Sequence, residues 1–133
     1  MAIHDPLATY LAEFSIAQEE REALITLMLV TMYADKKLTL EENATLQRYE
    51  KLIKWESGMS LGYFFSNTIA AVRSAMRDDA KLDAFITNAC RQITSEAIRT
   101  LTIKACNDMI SADYKREASE IAILNRIVTA LSG

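Results

Sequence analysis

The twelve residues from Ala23 to Ala34 constrain the fold more than any other stretch. Their only polar side chains are Thr26, Thr31 and the Tyr33 hydroxyl. A helix that is apolar nearly all the way round must be covered by other elements. Glu22 and Asp35 bound the run, and a membrane span needs ~20 apolar residues, so a buried core helix over about 16–34 is expected. Strand is the rival for such a run, but the length argues against it, as do Leu and Met where Val and Ile would stand. Leu27, Met28 and Val30 should be almost inaccessible to solvent.

The ends of this helix have their own signals. Ser15 and Gln18 have the spacing of a capping box, with Glu19, Glu20 and Glu22 in the turns that favour negative charge. At the other end Asp35 opposes the helix dipole, so a turn hydrogen bond, a cation or a nearby helix start must justify it. Thr39 and Glu42 then form a second capping box, which opens a helix over about 40–56. It buries Leu46, Tyr49, Leu52 and Ile53. Arg48, Lys51 and Lys54 recur along its other side, and a solvated face is preferred there over a basic groove.

The rest of the chain repeats the helical pattern. Asp5 and Pro6 start a first helix with the stripe Leu7, Tyr10, Leu11 and Phe14. A fourth helix is expected over 59–77, irregular around Gly62, burying Leu61, Phe65, Ile69, Val72 and Met76. Tyr63 and Phe64 fall off that stripe and are either second-layer core or an apolar surface patch. A fifth, over 80–93, buries Leu82, Phe85, Ile86, Ala89 and Ile93. A sixth, capped by Thr94 or Ser95 and running to 111, carries Ile98, Leu101, Ala105 and Met109. A seventh, over 116–131, carries Ile121, Leu124, Val128 and Leu131. The expected fold is all-α: a single-domain bundle of about seven helices over residues 1–133.

Composition supports this and removes several functions. Three Gly and one Pro suit helices joined by short connections, and 50% hydrophobic with 25% charged residues is ordinary globular usage. A net charge of −3 gives no general affinity for nucleic acid or anionic membrane. Cys90 and Cys106 lack metal-type or redox-type spacing, so two buried, unbonded thiols are expected. The first residues carry no basic region of a signal peptide, and the expected location is cytoplasmic. His4 is the only histidine and there is no Gly-rich phosphate loop, so a Ser-His-Asp triad is excluded. The chain is read as a non-enzyme.

Asp35 and Asp113 head two similar stretches. Ala34, Lys37 and Glu42 correspond to Ala112, Lys115 and Glu120; Ala44, Leu46 and Arg48 correspond to Ala122, Leu124 and Arg126. The copies span roughly 22–49 and 100–127, and two related helical hairpins would account for them. This pattern resembles the TerB-like family of tellurite-resistance proteins, whose signature is an apolar helix ending in Ala-Asp, followed by a polar cap and a Glu. The resemblance implies an all-helical domain of about seven helices with the motif twice. The family's usual Gly after Ala-Asp is Lys36 in one copy and Tyr114 in the other, and Glu117 stands where the first copy has Thr39. The His-Pro-Asp tripeptide of relatives that recruit chaperones is absent, because His4-Asp5-Pro6 has the wrong order.

Two functions follow as expectations. The first is a helical interaction module that docks other proteins, related to stress or tellurite resistance by the resemblance. The second is a divalent-metal-binding or sensing domain in which Asp35, Glu42, Asp113 and Glu120 converge. Oxygen-only ligands would suit Ca²⁺, Mg²⁺ or Mn²⁺. Capping is the preferred role for Glu42, with no cofactor required. The first reading needs an exposed docking surface, the second a cluster of underpaired carboxylates.

Overall fold

The structure, a computed structural model, describes residues 16–33, 40–53, 60–111 and 118–132. Six helices make up almost all of it: α1 (Gln18–Met32), α2 (Leu40–Ile53), α3 (Leu61–Ala75), α4 (Asp79–Arg91), α5 (Glu96–Ser111) and α6 (Ala118–Ser132). There is no strand among the described residues. The expected helix around Leu7 to Phe14 lies outside them.

The apolar run does what its composition requires. From Ala23 to Met32 every α1 residue except Thr26 is buried, and Leu27, Met28 and Val30 are fully so. Such a helix has no face to give to water, and α1 touches every other described helix, α5 most extensively. Thr31 sits in this core without cost because its Oγ1 donates to the Met28 carbonyl at 2.7 Å. Thr102 repeats the device on α5, donating to the Ile98 carbonyl at 2.7 Å.

The start of α1 corrects one expectation. The N-cap is Ala17, not Ser15, which lies outside the described residues. Alanine has no oxygen to offer a free N–H. Instead Glu20, three residues on, accepts from the Ala17 N–H at 3.3 Å, which is half of a capping box. The cap of α3 is Ser60, which accepts from the Tyr63 N–H at 3.2 Å, and α3 runs without interruption through Gly62. Asp78 caps α4 by accepting from the Ala80 N–H at 2.9 Å.

Two helices present a different face from the expected one. On α3 the buried line is Phe64, Thr68, Val72 and Ala75, while Phe65, Ile69 and Met76 are only partly covered. Among the described residues α3 packs mainly on α1 and α4, and that seam selects a narrower stripe than apolarity alone suggests. Phe64 joins the core and Tyr63 stays 60% exposed. On α6 the buried line is Glu120, Ile123, Leu124, Ile127 and Leu131, leaving Ile121 exposed and Val128 partly covered. The stripe there passes through a carboxylate, which a purely apolar count skips.

Cys90 and Cys106 are both buried free thiols, as expected. Burial pushes the Cys90 thiol up from 9.0 to about 11, with Arg99 opposing, and burial raises Cys106 still further. Both are neutral at pH 7 and poor nucleophiles. Neither should react with a thiol reagent near pH 8 in the native protein, and both should react once it is denatured. Linkage gives a further expectation. A thiol with a raised folded pKa contributes stability that is complete below its unfolded value and fades as pH rises, here between 9.0 and about 11 for Cys90. Urea titrations should show stability falling in that window, and less steeply in Cys90→Ala. Rapid native labelling would contradict this picture.

Candidate functional site

The structure places two of the four expected carboxylates. Glu42 is the third residue of α2 and Glu120 the third residue of α6, and each is 2% exposed. A first-turn carboxylate meets free backbone N–H groups and the positive end of the helix dipole, a setting that suits a buried anion. Asp35 and Asp113 lie outside the described residues, and the expected convergence of the four carboxylates lies outside them too. Among the described residues no group of three or more His, Cys, Asp and Glu could hold a metal ion.

Two buried charges sit side by side at the start of α1; sequence reasoning had Glu20 only as one of three first-turn acids and passed over Arg21. Glu20 is 4% exposed. Besides the Ala17 N–H it accepts from the Ser95 N–H at 3.0 Å, so one carboxylate joins the starts of α1 and α5. Arg21 donates from Nε to the Ile53 carbonyl at 2.6 Å, which ties α1 to α2. The signal for Glu20 was its spacing from Ala17. The neighbouring Ser15 and Gln18 pair carried the more conspicuous pattern and masked it.

A polar pair also bridges α2 and α5. The buried Tyr49 hydroxyl donates to Asp108 Oδ2 at 2.6 Å. Lys104 and Arg48 approach the same oxygen at 3.5 Å and 3.8 Å. Arg48 therefore serves a neighbouring carboxylate rather than an open basic row, and Lys54 lies outside the described residues. Arg126, on α6, pairs with Asp79 at 3.0 Å and Asp83 at 3.4 Å. These carboxylates are well exposed, and such pairs contribute ~0–1 kcal/mol. Glu50, half-buried on α2, has its carboxyl raised by burial.

The described surface also has a groove of about 450 Å³ between α1, α3 and α4. Ala23, Ala71 and Ala89 line it, one from each helix, with Phe64 and Phe85 beside them. Larger side chains at the alanine positions would fill the space. Glu22, Thr26, Asn67, Thr68, Asn88 and Gln92 supply polar groups.

No family model, curated protein or solved structure matched the chain. No described helix is long and apolar enough to cross a membrane.

Proposed function

We propose that the chain is a non-enzymatic, TerB-like helical interaction module. The observation that carries this reading is where the buried polar groups are spent. Four of the seven buried polar residues among those described, Glu20, Arg21, Thr31 and Thr102, bond to backbone groups of helix starts, of Ile53, or of their own helix. Those groups serve architecture, which supports surface shape as the means of action. A role in tellurite resistance or another stress response rests on the resemblance alone.

The duplicated arrangement is supported by register. α1 and α5 begin at Gln18 and Glu96, the same offset that carries Glu42 onto Glu120. Under it Glu42, Leu46, Tyr49 and Ile53 fall on Glu120, Leu124, Ile127 and Leu131, all buried. α2 touches α5 as α6 touches α1, the contacts two related hairpins would make.

A photo-crosslinking amino acid at exposed Tyr63, Ala71, Lys104 or Asn125, introduced in the native cells, tests the module. One position should give a discrete adduct, and the crosslinked protein, once purified, should bind the chain with a measurable Kd. No adduct at any position would reject the reading.

The second reading is a divalent-metal site, favoured by the equal burial of Glu42 and Glu120. Clustered carboxylates repel, and an ion that relieves the repulsion raises the melting temperature by mass action. If Asp35, Glu42, Asp113 and Glu120 hold Ca²⁺, Mg²⁺ or Mn²⁺, the ion should shift the melt by several degrees relative to chelator. The shift should vanish in the Asp35→Asn, Asp113→Asn double variant. An unchanged melt would eliminate the metal reading.

A further inference from the structure

We propose that the groove between α1, α3 and α4 binds a neutral disaccharide. This binding goes beyond the protein-docking reading and does not depend on it.

Thr68 is the residue that points to a ligand. The other buried threonines turn their hydroxyls onto a carbonyl of their own helix: Thr31 onto Met28 and Thr102 onto Ile98, both at 2.7 Å. Thr26, also on the groove, does the same with Glu22 at 2.7 Å. Thr68 is only 8% exposed and lines the groove, yet its hydroxyl has no partner among the described residues. Nor is its oxygen sealed inside the protein. A hydroxyl withdrawn this far from water without a hydrogen bond is costly. A ligand in the groove supplies the missing bond.

The remaining groups set the charge and size of that ligand. Glu22 is the only ionisable residue on the described lining, so an anion meets no counter-charge. Its Oε2 already accepts from Gln18 Nε2 at 3.3 Å. The other polar groups are neutral amides and hydroxyls on all three helices, so a compact cation would use only the Glu22 side. The amides of Asn67, Asn88 and Gln92 both donate and accept, as every sugar hydroxyl does. Ala23 and Ala89 are buried and leave an apolar floor for the C–H faces of the sugar rings. The lining runs from Phe64 to Ala71 on α3 and from Phe85 to Gln92 on α4. Seven residues of helix rise ~10 Å, the length of two linked pyranose rings. The volume of about 450 Å³ lies in the range of small-ligand sites.

The test is an amide NMR titration of the full chain with maltose, cellobiose and trehalose, and with glycerol as the polyol control. At least one disaccharide should give saturable shifts centred on Thr26, Thr68, Asn88 and Ala89, and glycerol at the same hydroxyl concentration should not. Thr68→Val keeps the shape and deletes the hydroxyl. It should weaken binding about fivefold, the loss of one neutral hydrogen bond. It should not lower the melting temperature of the free protein, because no hydrogen bond within the fold is lost. Asn88→Ala, at an exposed position, should weaken binding with the fold intact. The uronate form of the sugar that binds should bind more weakly than the neutral form. The inference is overturned by no saturable shift with any of the three, by equal shifts from glycerol, by an equally bound uronate, or by unchanged binding in both variants. A lower melting temperature in Thr68→Val would also overturn it, since the hydroxyl would then already be satisfied within the fold.

Discussion

Leu27→Ala should cost about 2–5 kcal/mol of folding stability, the range for truncating a fully enclosed leucine. Leu27 lies in the middle of α1, with no accessible surface, on the helix that touches all the others. Neighbours on every side are themselves held by packing, so the cavity cannot close easily. A domain of this size has only ~5–15 kcal/mol to lose. The melting temperature should fall by ~10 °C or more, at a few degrees per kcal/mol. Urea unfolding should show a lower midpoint with an unchanged slope. Leu40→Ala is the control: Leu40 is 85% exposed at the start of α2, and its loss should change stability by no more than ~0.5 kcal/mol. A loss below ~1 kcal/mol at Leu27 would mean that α1 is not the centre of the core.

Glu20→Ala should destabilise by ~2–4 kcal/mol, because it removes the acceptor for two backbone donors. One donor is Ala17 at the start of α1 and the other is Ser95 at the start of α5. Glu20 is 4% exposed, so little water can replace the carboxylate. Glu20→Gln keeps one acceptor oxygen and should fall between wild type and Ala. Hydrogen exchange separates this from a general loss of packing: the Ser95 amide should lose protection even under conditions where the core of α1 keeps its own. If Glu20→Ala matched wild type, the link between the two helix starts would contribute nothing to stability.

Several features were legible in the residues. The uninterrupted apolar run placed α1 at the centre, since only full coverage suits such a helix. Ser95, offered with Thr94 as the cap of α5, does precede its first turn. The stripes of α2, α4 and α5 were close to those observed, because each has a strong apolar face. α3 and α6 were less legible. Phe64 and Phe65, or Ile121 and Ile123, are equally apolar, and the choice between them depends on where the neighbouring helices lie.

The candidate site divides along the same line. Chain chemistry alone singled out Glu42 and Glu120, through their place after a polar cap and their shared spacing. Their burial, 2% exposed each, was decided by tertiary packing. So were the partners of Glu20, Arg21 and Tyr49, which lie 75, 32 and 59 positions away along the chain. Periodicity reports which face of a helix is apolar, because that depends on residues three and four apart. It carries no record of which distant backbone group will stop beside a given carboxylate, guanidinium or hydroxyl, because that is fixed only when the helices dock.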